Sequence, residues 1–261
     1  MMRVISSVVI VSFFLLCHCK PDEVKPDTDQ ILEKKIEKDS THNFRYLTGQ
    51  FDPSNHPLFE KIDIKYADRE NLFMRKEAYQ EFQKMWEAAK EDGVSLQIRS
   101  ATRNFDYQKG IWERKWEGIT TLSDGSKANE INSPRERALK ILLYSSMPGT
   151  SRHHWGTDID LNSFDNNWFE SGEGLVLYNW LLKNAGSYGY YQVYTSKGEH
   201  RPYGYEEEKW HWSFKPISGP LTSFAEENIA NEMITGFQGA ETSTEIDVVG
   251  KYILGVDPKC R

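Results

Sequence analysis

Tyr79, Phe82, Trp86 and Ala89 recur at spacings of three and four, and Gly93 follows them. That recurrence predicts a helix with one apolar stripe, stopped at the glycine. The period then changes. Val94, Leu96 and Ile98 alternate with polar residues, as in a half-buried strand. Ser100-Ala-Thr-Arg103 comes next, and a helix is predicted to start at Asn104. Ser133-Pro-Arg-Glu136 is a capping box with proline at the first helical position, opening a helix that should reach Ser145. Met147-Pro-Gly-Thr150 breaks it. Leu175 to Asn184 reads as a helix stopped by Gly186, and Tyr188 to Tyr194 as a strand. Beyond Phe214, stretches 223–236 and 244–254 have amphipathic helical spacing and are expected to pack on the outside. Helices mix with strands without a regular βαβ rhythm, so the expected class is α+β.

A chain of 261 residues can bury one sizeable core, and one domain is expected. The net charge of -7, with no stripe dense in lysine or arginine, argues against a nucleic-acid partner. The N-terminus reads differently. Arg3 precedes an apolar run from Val4 to Cys17. The run falls short of the roughly 20 residues of a membrane span but suits the core of a secretory signal. Leu16-Cys-His-Cys19 closes it and loosely matches a lipoprotein cleavage box, although neither Leu16 nor His18 is the small residue expected before the acceptor. Lipidation of Cys19, or of Cys17, would tether the protein to a membrane at the cell envelope or in the periplasm; simple cleavage nearby is the alternative. From Lys20 to Asp39, twelve of twenty residues are charged, which reads as a tether. The expected organisation is a signal over 1–19, a tether over 20–43 and one domain over 44–261, with a helical extension from about 215. The third cysteine, Cys260, then has no partner in the mature chain, so the core must hold the fold without a disulfide.

Two segments carry chemistry. In an extended Lys209-Trp-His-Trp-Ser-Phe214, Trp210, Trp212 and Phe214 share one face, and Lys209, His211 and Ser213 share the other. An aromatic wall behind His211 would fix it as a metal ligand, though an ordinary surface histidine fits the same pattern. In Ser151-Arg-His-His-Trp-Gly-Thr-Asp-Ile-Asp160, an extended 156–161 aligns Gly156, Asp158 and Asp160 on one face, with Ile159 and Leu161 on the other. A carboxylate can then be aimed where His153 reaches. Two acids and two histidines within eight residues are costly to bury unpaired, and a metal resolves that cost; a solvated acidic loop is the alternative.

Ser-x-His-x-x-Gly-x-x-x-Asp followed at a distance by Glu-x-x-His resembles the zinc D-alanyl-D-alanine carboxypeptidases of the vancomycin-resistance type and related peptidoglycan endopeptidases. The resemblance runs from about Arg75 to Phe214. It takes in Arg103 with Gln108, Pro148-Gly149, and Asn179-Trp-Leu-Leu-Lys-Asn-Ala-Gly-Ser-Tyr-Gly189. It implies a small antiparallel sheet flanked by helices with Zn²⁺ on the sheet, as in the hedgehog and D,D-peptidase folds. The implied ligands are His153, Asp160 and His211, with Glu208 as catalytic base. Arg103, Ser151 and Gln108 would bind substrate. The chain departs from the family with Asp158, where alanine is common although related endopeptidases carry aspartate, and Lys209, where proline is usual. The implied activity is a D,D-carboxypeptidase acting on peptidoglycan stem peptides, with an endopeptidase or a non-catalytic cell-wall binding module as alternatives. Arg103 suits a substrate carboxylate because its planar fork donates two parallel hydrogen bonds, although a salt bridge to Asp106 or Glu113 would also occupy it. A serine hydrolase using Ser151 and His153 is disfavoured, since no Gly-x-Ser-x-Gly elbow surrounds Ser151. Trp155 could pack or line a cleft, and His154 is expected to be exposed, with a donor role behind a metal ligand as the alternative.

Overall fold

The period-two segments pair into one antiparallel sheet. In the computed structural model, which describes residues 41–261, the chain forms α1 (Phe44–Leu47), β1 (Phe59–Lys61), β2 (Phe73–Arg75), α2 (Lys76–Glu91), β3 (Ile98–Ser100) and α3 (Phe105–Trp116). It continues through α4 (Pro134–Ile141), β4 (Asp158–Leu161), α5 (Gly172–Asn184), β5 (Tyr190–Gln192), β6 (His211–Phe214), α6 (Lys215–Asn228) and α7 (Ser243–Ile246). β1 and β2 form a hairpin, and the main sheet runs β3-β4-β6-β5 with every neighbour antiparallel. The class is α+β. The secretory signal, Cys17, Cys19 and nearly all of the tether lie outside the described residues. Asn43, at the tether's expected end, caps α1 by accepting from the Tyr46 amide, and Thr41 is buried.

Alternation decides which face of the sheet is dry. Ile98, Ile159, Leu161, Tyr190, Trp212 and Phe214 point to one side. There they meet Tyr79, Phe82, Met85 and Ala89 of α2, and Leu177 and Leu181 of α5. Burying side chains of this size is worth about 1.5–3 kcal/mol each, so the packing fixes strand register. The polar residues of β4 and β6 are thereby turned to the opposite face.

Several predicted boundaries move. The 94–98 alternation is buried as expected, yet only Ile98–Ser100 pairs as a strand. α4 ends at Ile141 rather than Ser145, because the Tyr144 and Ser145 amides both turn back to the Ile141 carbonyl. α5 begins at Gly172 and leads into a 3-10 turn over Ala185–Tyr188, so the left-handed stop is Gly189 (φ +78°) rather than Gly186. The strand after it is only Tyr190–Gln192.

The C-terminal part departs furthest. α6 starts at Lys215 and runs through Pro220, although Gly-Pro ordinarily reads as a break. Burial of Leu221, Thr222 and Ala225 overrides that local signal. Stretch 244–254 splits at Asp247 (φ +59°) into α7 and a π-helical turn over Val249–Ile253. These segments are core rather than exterior: Ile229, Ile234, Phe237, Ile246 and Val249 pack in one cluster with Trp112 and Trp116 of α3. Cys260 is free and buried, and burial pushes its thiol up to about 12, which makes it a poor nucleophile.

Candidate metal centre

Asp160 and His211 face each other directly across the β4–β6 ladder, and Asp158 faces Ser213. Opposed residues of an antiparallel pair project to the same face, so the sheet brings the carboxylate and the imidazole together. His153 comes from a 3-10 turn, Arg152–Trp155, just before β4. Gly156 (φ +73°) ends that turn and admits the chain to the strand; a Cβ there would lie 2.3 Å from the Phe59 ring.

Each imidazole is oriented by the nitrogen that faces away from the site. His153 Nδ1 lies 2.8 Å from the Ala101 carbonyl, which can only accept, so the proton is on Nδ1 and the Nε2 lone pair is free. That Nε2 is 3.3 Å from Asp160 Oδ2. His211 Nε2 lies 2.9 Å from Asp158 Oδ2, which leaves Nδ1 3.6 Å from Asp160 Oδ1 and 3.0 Å from Glu208 Oε2. His153, Asp160 and His211 therefore offer one ligand atom each, all within 4.8 Å of one another and all buried. Among the described residues His153 Nε2 and Asp160 Oδ1 have no hydrogen-bond partner, a costly arrangement for buried polar atoms that a cation would relieve.

The charges are closely balanced. Three buried carboxylates, Asp158, Asp160 and Glu208, face two guanidiniums, Arg103 and Arg152, and the His211 imidazole. Burial and the nearby Arg103 hold His153 below the usual imidazole range. Burial also opposes a charge on His211, but its bonds to Asp158 and Glu208 and the Asp160 charge outweigh it and raise it to about 9. For Asp160, burial is outweighed by the two imidazoles and Arg103, which hold the carboxyl at about 2. Burial raises Glu208, against its hydrogen bond to His211.

These groups sit in a cleft of about 900 Å³ whose walls include Arg103, Lys115, Tyr144, Trp210, Glu208 and His211. The expected positions of the other site residues divide. Arg103 lines the cleft; its closest carboxylate is Asp160 Oδ2 at 3.9 Å, rather than Asp106 or Glu113. Gln108 and Ser151 are buried outside the cleft lining. Gln108 Nε2 donates to the Ser146 carbonyl at 2.8 Å, and among the described residues Gln108 Oε1 and Ser151 Oγ have no hydrogen-bond partner. Trp155 packs inside, its Nε1 donating to the Leu47 carbonyl at 3.1 Å. Tyr205 lines the cleft, whereas Tyr203 is exposed.

Two features escaped the sequence. Lys115 lines the cleft from the last turn of α3, with Nζ 2.5 Å from Ser145 Oγ; only its helical phase relative to Trp112 and Trp116 could have hinted at it. His154, expected to be exposed, is fully buried: Nδ1 donates to the Arg103 carbonyl (2.5 Å) and Nε2 accepts from the Gly149 amide (3.1 Å). It ties the 3-10 turn to the segment that carries Arg103.

The sheet, the buried trio and the adjacent carboxylate together make this an α+β protein with a group of side chains that could hold a metal ion. The chain belongs to the VanY D-alanyl-D-alanine carboxypeptidase family, whose model matches residues 71–217. It is 29% identical over 171 residues to "Putative carboxypeptidase YodJ" of Bacillus subtilis (strain 168), covering 63% of this chain and 55% of that protein. It thus spans a little over half the length of that relative. Among solved structures, it is similar to VanYB in complex with D-alanine-D-alanine (22% identity, 67% of this chain and 87% of that chain, TM-score 0.47). It is also similar to a point mutant of the vancomycin-resistance D,D-pentapeptidase VanY in complex with Zn(II) (22% identity, 75% and 92%, TM-score 0.43).

Proposed function

We propose that this chain is a zinc-dependent D,D-carboxypeptidase that removes a terminal D-alanine from peptidoglycan stem peptides. One observation carries the reading. Two imidazole nitrogens and a carboxylate converge within 4.8 Å at a cleft that also holds the Glu208 carboxylate and an arginine. Two histidines and one acid are a donor set that suits catalytic zinc, with a position left for water or substrate. His153 through Nε2, Asp160 and His211 through Nδ1 would hold the ion. When bound, it would supply Lewis acidity toward the scissile carbonyl and toward water.

The chain's own groups do the rest. Glu208, 3.0 Å from His211 Nδ1, takes the proton of the attacking water and passes it to the leaving amine. Its raised affinity for protons suits that exchange. Arg103, with no carboxylate closer than 3.9 Å among the described residues, grips the terminal carboxylate of the peptide. Ser151 Oγ and Gln108, each with a buried oxygen lacking a partner, would complete the substrate's hydrogen bonds on rotating toward the cleft.

Arg103 favours a substrate with a free carboxylate beside the cut bond, hence a carboxypeptidase over an endopeptidase. Weighing the products formed from purified muropeptides tests this. Loss of one alanine is expected; conversion of crosslinked dimers to monomers would replace the reading with an endopeptidase, and no turnover with a binding module. The apolar run before Cys17 and Cys19 supports export and attachment through a lipid on Cys19, or on Cys17. Among the described residues no helix is long and apolar enough to cross a membrane. Mass spectrometry of the mature N-terminus tests the anchor: a diacylated cysteine is expected, and an unmodified N-terminus overturns it.

A further inference from the structure

Asp158 opens β4 with its side chain fully buried. All four acceptor positions of its buried carboxylate are filled. Oδ1 accepts from Thr157 Oγ1 (2.8 Å) and Ser213 Oγ (2.5 Å). Oδ2 accepts from Arg152 Nε (3.1 Å) and His211 Nε2 (2.9 Å). Arg152 is fully buried too. Its Nη1 donates to Thr222 Oγ1 (2.7 Å), its Nη2 donates to Ser213 Oγ (3.0 Å), and its guanidinium lies 4.7 Å from the centre of the Trp155 ring. Ser218 Oγ, 2.8 Å from Ser213 Oγ, continues the network. Ser218 and Thr222 belong to α6 and lie just past residue 217, where the family match ends.

We propose that Asp158, held in place by Arg152, is a positioning residue for the metal centre. It keeps the His211 proton on Nε2 and so presents the Nδ1 lone pair to the ion. The inference rests on the zinc reading above. An imidazole with both nitrogens free can rotate or change tautomer, and either change removes a ligand. A fixed anionic acceptor behind the ring prevents both and makes the ligating nitrogen more basic. An isolated buried aspartate would be too costly to keep there, and Arg152 makes it tolerable. The pair also gives α6 a role at the site, because through Thr222 and Ser218 the helix braces the ion pair that braces the ligand.

The test pairs Arg152→Met with Asp158→Ala. Removing both charges avoids a stranded buried ion, and replacement of a buried pair by apolar groups is often tolerated. Two readouts are taken on wild type and variant. Zinc affinity is measured by chelator competition, and the position of the His211 ring proton by ¹⁵N–¹H correlation on zinc-loaded protein. A loss of about ten- to a hundredfold in affinity is expected, together with loss of the single Nε2–H signal. Asp158→Asn, which keeps an acceptor oxygen without the charge, is expected to fall between wild type and the double variant, and it carries the test if the double variant does not fold. Affinity within about threefold of wild type with an unchanged ring signal overturns the role of Asp158 while leaving the zinc reading intact. Wild type that takes up no zinc overturns both.

Discussion

A carboxylate three residues before a histidine can reach that histidine's ring only if the chain turns between them. Here Glu208 and His211 meet at 3.0 Å because the strand begins at His211 and the preceding residues turn. Glu208 is absent from the candidate ligand trio, so the proton-handling proposed for it can be tested apart from metal binding. Glu208→Gln should lower kcat by about 10²–10⁴-fold with zinc content unchanged, read by steady-state kinetics and metal analysis of the same sample. Retained turnover would remove Glu208 from the mechanism. At this scale the sequence was most legible where the period of a strand decides orientation, as for Asp160 and His211. It was least legible where a side chain answers to a distant backbone. Nothing local marks His154 as buried, because its partners are carbonyl and amide groups brought in by other segments. Its burial has a measurable consequence. Loss of hydration, with Arg103 and His153 nearby, holds His154 down to about 3, while an unfolded histidine titrates near ~6.5. Below pH ~6.5 the unfolded chain binds a proton that the folded chain refuses until about pH 3. The stability from a neutral His154 is therefore complete above ~6.5 and falls, by about 1.4 kcal/mol per pH unit, as pH drops through that window. Denaturant unfolding at a series of pH values should show this slope, and His154→Gln should flatten it.

At the scale of elements, the site depends on a 3-10 turn joined to a strand through one left-handed residue. Gly156 is that joint, and crowding adds to its φ of +73° because a Cβ would meet Phe59. Gly156→Ala should cost at least about 1–2 kcal/mol in the left-handed geometry alone and weaken zinc binding as well, since His153 and Asp160 lie on either side. Thermal melting and chelator competition would show both losses; a variant matching wild type in both would mean that the turn adapts without moving its ligands. Gly156 was legible only as a position in the motif: the extended segment expected from 156 begins at Asp158, and Gly156 itself turns left-handed. The helix limits were less so, for opposite reasons. α4 stops early because its last amides tighten onto Ile141, a choice that capping rules do not dictate at the C-terminal end. α6 starts early because core contacts override Gly219-Pro220. Local punctuation is a weak prior when a segment is buried.

For the whole molecule, the proposed ligands arrive from parts of the chain that only the fold brings together: a turn before β4, β4 itself, and β6 far along the chain, with Asp160 facing His211 in register. In the unfolded chain His211 is separated from the other two, so zinc should bind the folded state far more tightly. Binding then adds to stability as RT ln(1 + [Zn]/Kd), about 2.7 kcal/mol at roughly a hundredfold excess over Kd. For a protein of this size each kcal/mol moves the melting point by about 2–4 °C, so saturation should raise it by about 5–10 °C. A chelator should reverse the rise, and added zinc should restore it. The rise should vanish in His211→Ala, because two remaining ligands cannot close the site. Such a shift would report the assembled centre without reference to substrate, and its absence in the wild type would mean that the buried, unpaired Nε2 of His153 and Oδ1 of Asp160 are satisfied in some other way.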